Sequence, residues 1–109
     1  MTPKKVELVQ SSQQFQLQVD GEPFYIKGAG LELGSIESLA RYGGNAFRTW
    51  RVANGEKTGR EILDEAHHHG LMVCMGLDVA RERHGFNYSD KKAVAQQLAQ
   101  LGMRVVIHY

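Results

Sequence analysis

Leu71-Met72-Val73-Cys74-Met75-Gly76-Leu77 is a continuous apolar run with Gly70 directly before it and Asp78 directly after. A short run bounded in this way reads as a strand buried on both faces, the kind found in a parallel sheet covered by helices. Upstream, Thr58 is a candidate N-cap for a helix that carries Ile62, Leu63 and Ala66 on one face. Its last turn would hold His67-His68-His69, and Gly70 would close it. Residues 45–52 read as a second strand with Ala46, Phe47 and Trp50 apolar. A short helix over 36–42, capped by Ser35 and closed by Gly43-Gly44, comes before it. Residues 24–27, running into Gly28-Ala29-Gly30, read as a first strand. Strand starts near 24, 45 and 71 fall at the spacing of repeated β-α units with right-handed crossovers. Strand–helix alternation with buried strands means an α/β fold with a parallel sheet.

At the amino-terminal side, Phe15, Leu17 and Val19 alternate with Gln16 and Gln18, the period of a half-buried strand. Asp20-Gly21 follows at once, and Asp-Gly between two apolar runs signals a hairpin because both residues tolerate positive φ. Residues 6–9 add a strand across Ser11-Ser12-Gln13-Gln14. At the carboxyl side, residues 81–87 read as a polar loop, after which Ser89 or Asp90 caps a third helix bearing Ala93, Val94, Leu98 and Leu101. Beyond Gly102, residues 103–107 either open a fourth strand or continue the helix. The expected fold is therefore α/β: an N-terminal β-hairpin followed by about three β-α units of a parallel sheet. The whole chain, 1–109, makes a single or partial domain, with the hairpin and first strand in 1–27 and the β-α units in 28–109. Pattern alone leaves open a complete small doubly wound sheet or the opening of a TIM barrel, whose full length is about 250 residues.

Composition narrows the function classes. The 109 residues carry 13 Lys plus Arg against 12 Asp plus Glu, a formal charge of +1. That balance argues against a nucleic-acid partner, which needs a basic stripe. No apolar run approaches the roughly 18 residues of a membrane span, so no membrane partner is expected. A single cysteine excludes an internal disulfide. Residues 1–5 carry positive charge, but no apolar core of about 7–15 residues follows, so no signal peptide is expected within this chain and its localisation is left open.

Several motifs invite chemistry. Gly28-Ala29-Gly30-Leu31-Glu32-Leu33-Gly34 follows a strand and precedes a helix, where a dinucleotide fingerprint would sit, with Arg48 placed to meet a 2′-phosphate. The helix begins near Ser35, too late for its amides to face a pyrophosphate held by Gly28 and Gly30, and a plain turn is the simpler reading. Asp64-Glu65-Ala66-His67 matches a helicase box by letter, yet Gly55-Glu56-Lys57-Thr58 is no phosphate loop. Adjacent histidines diverge by about 100° on a helix, so His67-His68-His69 do not converge on one metal ion. Cys74, inside a strand, reads as core filler. Neither a metal nor a cofactor is expected. The better group lies just after the strands, where parallel α/β folds gather function: Gly30 and Glu32, then Arg48-Thr49-Trp50-Arg51, then Asp78 and Arg81-Glu82-Arg83-His84-Gly85. Arginine offers a fork of donors to a carboxylate. Tryptophan offers a flat apolar face with one N–H. Sugar rings have apolar faces and hydroxyl rims, so this pair suits a carbohydrate. An ordinary strand-end ion pair beside a half-buried tryptophan is the alternative.

Three stretches together resemble a known family: Gly21-Glu22-Pro23-Phe24-Tyr25-Ile26-Lys27-Gly28, Asn45-Ala46-Phe47-Arg48-Thr49-Trp50, and Ile62-Leu63-Asp64-Glu65-Ala66 with Gly70-Leu71-Met72-Val73. They look like the start of the catalytic (β/α)8 barrel of clan A retaining glycoside hydrolases, family 2-like and family 5-like. Glu82-Arg83-His84-Gly85-Phe86-Asn87-Tyr88-Ser89-Asp90 is similar to a segment after the third barrel strand in one branch. The resemblance implies that Arg48 orients the nucleophilic carboxylate, that Trp50 lines the sugar cleft, and that Glu82 and His84 touch substrate. It implies a carbohydrate substrate and hydrolysis of O-glycosidic bonds of oligo- or polysaccharides with retention. The family's acid/base glutamate follows an asparagine at the fourth strand, and its nucleophile ends the seventh. No Asn-Glu pair occurs in this chain, so the chain alone is expected to be an inactive fragment that self-associates through an open sheet edge. A small α/β ligand- or carbohydrate-binding module without catalysis is the other reading.

Overall fold

Two sheets organise the chain. The computed structural model describes residues 3–108, with side chains through residue 102. The first sheet is antiparallel. Strand β1 (Val6–Ser11) pairs with β2 (Gln14–Val19) along its whole length, and β2 pairs with the two-residue β3 (Glu22–Pro23). The Asp20-Gly21 turn forms as expected, with φ of 50° and 83°. Cross-strand partners Val6–Val19 and Leu8–Leu17 share one face, and Glu7–Gln18 lies on the other.

The second sheet is parallel, in the order β4 (Gly28–Gly30), β5 (Ala46–Arg48), β6 (Met72–Cys74). Helix α1 (Ile36–Arg41) joins β4 to β5, and α2 (Gly59–His68) joins β5 to β6. Both helices start where a hydroxyl takes up a free amide: Ser35 Oγ accepts from Ser38 N at 3.1 Å and Thr58 Oγ1 from Glu61 N at 3.2 Å. Ile36 of α1, Phe47 of β5, Ile62 and Ala66 of α2 and Leu71 form one buried core, with Leu39, Val73 and Met75 packed against it. Both crossover helices thus cover the same face of the sheet. Phe47 and Val73 are register partners on that face, whereas Gly30, Arg48 and Cys74, one register step on, stand on the other face and are exposed.

Several expectations are corrected. Residues 24–27 are not a strand. Asn45 occupies their backbone instead, its Nδ2 donating to Tyr25 O at 2.7 Å and its Oδ1 accepting from Lys27 N at 2.7 Å. The first parallel strand therefore begins at Gly28, and among the described residues 3–27 hold the antiparallel sheet and this extended link. The strands expected over 45–52 and 71–77 shorten to three residues each. The β6 run is not buried on both faces, and Cys74 is exposed rather than core filler, because helices cover one side of the sheet only. The loop after β6 contains a 3-10 turn, Glu82–His84. Asp90, not Ser89, caps the third helix: its Oδ1 accepts from Lys92 N at 3.0 Å and Ala93 N at 3.3 Å. This helix, α3 (Lys91–His108), continues through 103–107, where a fourth strand was the alternative. Among the described side chains α3 contributes none to the buried core.

Candidate functional site

The carboxyl ends of β4, β5 and β6 bring the expected group together around one open cleft. The cleft measures about 830 Å³, and Glu32, Trp50, Arg51, Asp78, Arg81 and His84 are among its lining residues. Trp50 and His84 thus share it. Arg48 stands beside it, its guanidinium carbon 5.1 Å from the centroid of the Trp50 ring. A cation over an indole at this exposure contributes about 0.5–1 kcal/mol. Glu82, two residues from His84, is not among the lining residues; it opens the 3-10 turn, and its carbonyl accepts from Gly85 N at 2.9 Å.

The chain leaves β5 by a turn built on Thr49, which is 4% exposed. Its amide still donates to Cys74 O at 3.0 Å, continuing the ladder by one bond. Its hydroxyl donates to Arg51 O at 2.9 Å and accepts from Gly76 N at 2.9 Å. One buried side chain therefore ties the segment after β5 to the segment after β6 and sets where Trp50 points. Asn54 fixes the next loop, donating to Glu32 O at 2.8 Å while its Oδ1 accepts from Glu56 N and Lys57 N at 2.9 and 2.7 Å. Glu32 also meets Arg51, Oε1 lying 2.6 Å from Nε, although that oxygen receives no directed hydrogen bond. An ion pair this exposed is worth at most about 1 kcal/mol.

Two glycines shape the site for different reasons. A Cβ at Gly30 would lie 2.6 Å from Cη2 of Trp50, so the indole fills the space a side chain would take. A Cβ at Gly76 would lie 2.6 Å from Thr49 O and from Trp50 C, which are backbone atoms. The indole can swing aside and the backbone cannot. Gly30→Ala is thus expected to cost less than about 1 kcal/mol of stability while shifting tryptophan emission, and Gly76→Ala to cost about 1–3 kcal/mol. Urea unfolding followed by fluorescence measures both, and equal costs would contradict the assignment. In this arrangement the indole also covers the Gly30 backbone that a dinucleotide pyrophosphate would have to approach.

Other candidate groups stay apart. His67, His68 and His69 end α2, with the His68 and His69 rings edge to face at 5.0 Å. Among the described residues no group of three or more His, Cys, Asp or Glu is placed to hold a metal ion. No helix among them is long and apolar enough to cross a membrane. Thr49 belongs to the strand-end group expected from the sequence, but its organising role was not singled out there, and neither was Gly76. A glycine inside an apolar strand run is the available signal, because it marks close backbone approach. For Asn54 the signal is the Asn-Gly turn it opens.

No protein-family model matches the chain, and no curated protein matches it. The reading of the cleft therefore rests on its own chemistry. A flat indole, a guanidinium against it and a rim of charged donors and acceptors suit a ring with apolar faces and hydroxyl edges. Glu32 and Asp78 share the cleft, but Glu32 is paired with Arg51 and Asp78 is also engaged.

Proposed function

We propose that this chain is part of a retaining glycoside hydrolase acting on O-glycosidic bonds of oligo- or polysaccharides. Its three parallel strands are the opening of a (β/α)8 barrel, and its cleft is a sugar-binding subsite. The observation that carries the reading is the delivery of Trp50 from the end of the central strand into an open cleft, with the Arg48 guanidinium outside the lining but 5.1 Å from the indole centroid. The winding supports it. Helices on one face leave the other free, as the interior of a barrel requires, whereas a doubly wound binding module needs helices on both faces.

In this reading Trp50 stacks on the apolar face of a sugar ring and His84 hydrogen-bonds a hydroxyl. Arg48 holds a carboxylate supplied by a later barrel strand. Glu82, outside the cleft lining, has no assigned contact. Retaining hydrolysis needs two carboxyl groups about 5 Å apart, one as acid/base and one as nucleophile. Neither Glu32 nor Asp78 is assigned either role, and in this reading the chain binds sugar without cleaving it.

Trp50 is the only tryptophan, so its emission reports the cleft directly. Titration with neutral oligosaccharides is expected to shift that emission to the blue and to protect it from acrylamide quenching, with no release of aglycone from aryl glycosides. A panel of oligosaccharides that leaves the emission unchanged would overturn the sugar-site reading. Sustained aryl-glycoside hydrolysis by the 109-residue chain, lost in Arg48→Ala, would overturn the inactive half.

A further inference from the structure

The far wall of the cleft is the segment after β6; Met75 and the Thr49–Gly76 bond anchor its start, and from Leu77 onward none of its residues belongs to the buried core. Ala80 lies in that wall, and two side chains engage both of its backbone polar groups. Its N–H donates to Gln97 Oε1 at 2.6 Å. Its carbonyl accepts from the Tyr88 hydroxyl. The two partners also meet each other, Gln97 Nε2 donating to Tyr88 Oη at 3.4 Å. From Ala80 the wall closes on itself, since the Arg81 carbonyl accepts from His84 N at 3.0 Å and from Phe86 N at 3.3 Å. The Phe86 ring, which also lines the cleft, lies 4.5 Å from the ring of Tyr88.

We propose that Tyr88 and Gln97 form a clamp on Ala80 that makes Gln97 a positioning residue for the cleft, so that α3 sets the distance of the Arg81–His84 wall from Trp50. The physical argument is one of leverage. Among the described side chains helix α3 adds none to the buried core, and these bonds are where it meets the cleft wall. An isolated loop of this length would sample many conformations, and fixing one residue at both its donor and its acceptor removes most of that freedom. Gln97 is half-buried, where a lost amide partner is not fully replaced by water. That the wall serves a sugar rests on the reading above; the clamp itself does not.

The test uses the full chain and two readouts. Gln97→Met keeps the shape and removes both bonds; Tyr88→Phe keeps the ring and removes the hydroxyl; Gln97→Glu keeps the acceptor for Ala80 N–H. Amide exchange at Ala80, read by mass spectrometry with residue-level fragmentation, is expected to quicken about tenfold or more in Gln97→Met and to stay near wild type in Gln97→Glu. The amide of Phe47 should be unchanged in every variant. Unchanged exchange at Ala80, or an equal loss at Phe47, overturns the clamp. Oligosaccharide affinity, followed at Trp50, is expected to fall about tenfold in Gln97→Met at an unaltered melting temperature, a loss that scaffold stability alone would not give. Equal affinity in Gln97→Met and wild type overturns the positioning role. A wild-type chain that binds no sugar overturns the sugar-site reading, while the exchange result still decides the clamp.

Discussion

Phe47→Ala is expected to abolish the cooperative unfolding transition of the chain. Phe47 is 3% exposed and sits on the central strand of the parallel sheet, between Ile36 of one helix and Ile62 and Ala66 of the other. Truncating a buried phenylalanine costs about 3–5 kcal/mol, the transfer of the ring plus the cavity it leaves. Whole domains are stable by only about 5–15 kcal/mol. This one belongs at the low end, because among the described residues only six hydrophobic side chains are buried, five of them in the core cluster, and no large side chain falls below 2% exposure. The loss also reaches the site, since Arg48, Thr49 and Trp50 follow Phe47 directly and are placed by its strand. Thermal unfolding watched by circular dichroism and by Trp50 emission should lose its sigmoid in Phe47→Ala. Phe47→Leu, which loses less volume, should retain it at a cost of about 1–2 kcal/mol. An alanine variant that melts within about 4 °C of wild type would show that the two helices do not depend on this side chain.

What the sequence made legible follows the range of the interactions. Caps and turns are local, so Ser35, Thr58, Asp90 and Asp20-Gly21 mark their elements from neighbouring residues alone. The apolar pattern also places Phe47, Ile62 and Ala66 in the core, since each lies on the apolar side of an element that does form. Strand ends were not legible. Apolar character runs on through Met75 and Leu77 after the ladder has stopped, because the chain turns where Thr49 takes the Gly76 amide, a bond across 27 positions. Residues 24–27 look like a strand but lose their partners to the Asn45 side chain, 18 to 20 positions away. Cys74 looks like core because a strand in a parallel sheet normally has helices on both sides, and here one side is bare. Of the site, the strand-end group of Arg48, Trp50 and His84 was visible from residue type and position. Its organisers act through contacts that composition does not encode, the Thr49 hydroxyl bridging two backbone groups and Gly76 admitting a close backbone approach, and Glu82 lies outside the cleft lining although it is close in sequence to His84.

The bare face and the open edges lead to a second large effect: the chain is expected to self-associate, with an average mass that climbs as concentration rises. The outer sides of β4 and β6 have no strand partner among the described residues. Unpaired strand edges recruit other strands. The two edges are unlike, so the outer side of β6 in one copy can take β4 of the next while all strands remain parallel. Contacts between unlike surfaces close only if the rotation returns to its start and otherwise run on, which gives a spread of sizes rather than one dimer. The radius of gyration points the same way. At 16.3 Å it exceeds the roughly 13 Å of a well-packed domain of this length, and Val6, Leu8 and Phe15 of the antiparallel sheet are half or more exposed. Apolar area left in water on both sheets favours association over the free chain by the same driving force that folds the core. Light scattering across a hundredfold dilution should therefore give masses well above 12.2 kDa that fall towards it at the lowest concentration. Proline at Met72, whose amide donates to Asn45 O at 2.9 Å, would break the sheet and is uninformative; lysine at Cys74, on the exposed face of the edge strand, should lower the mass without unfolding the chain. A single species of 12.2 kDa at every concentration, unfolding in one cooperative step, would mean that the short edges are too weak to recruit a neighbour and that this thin core is sufficient by itself.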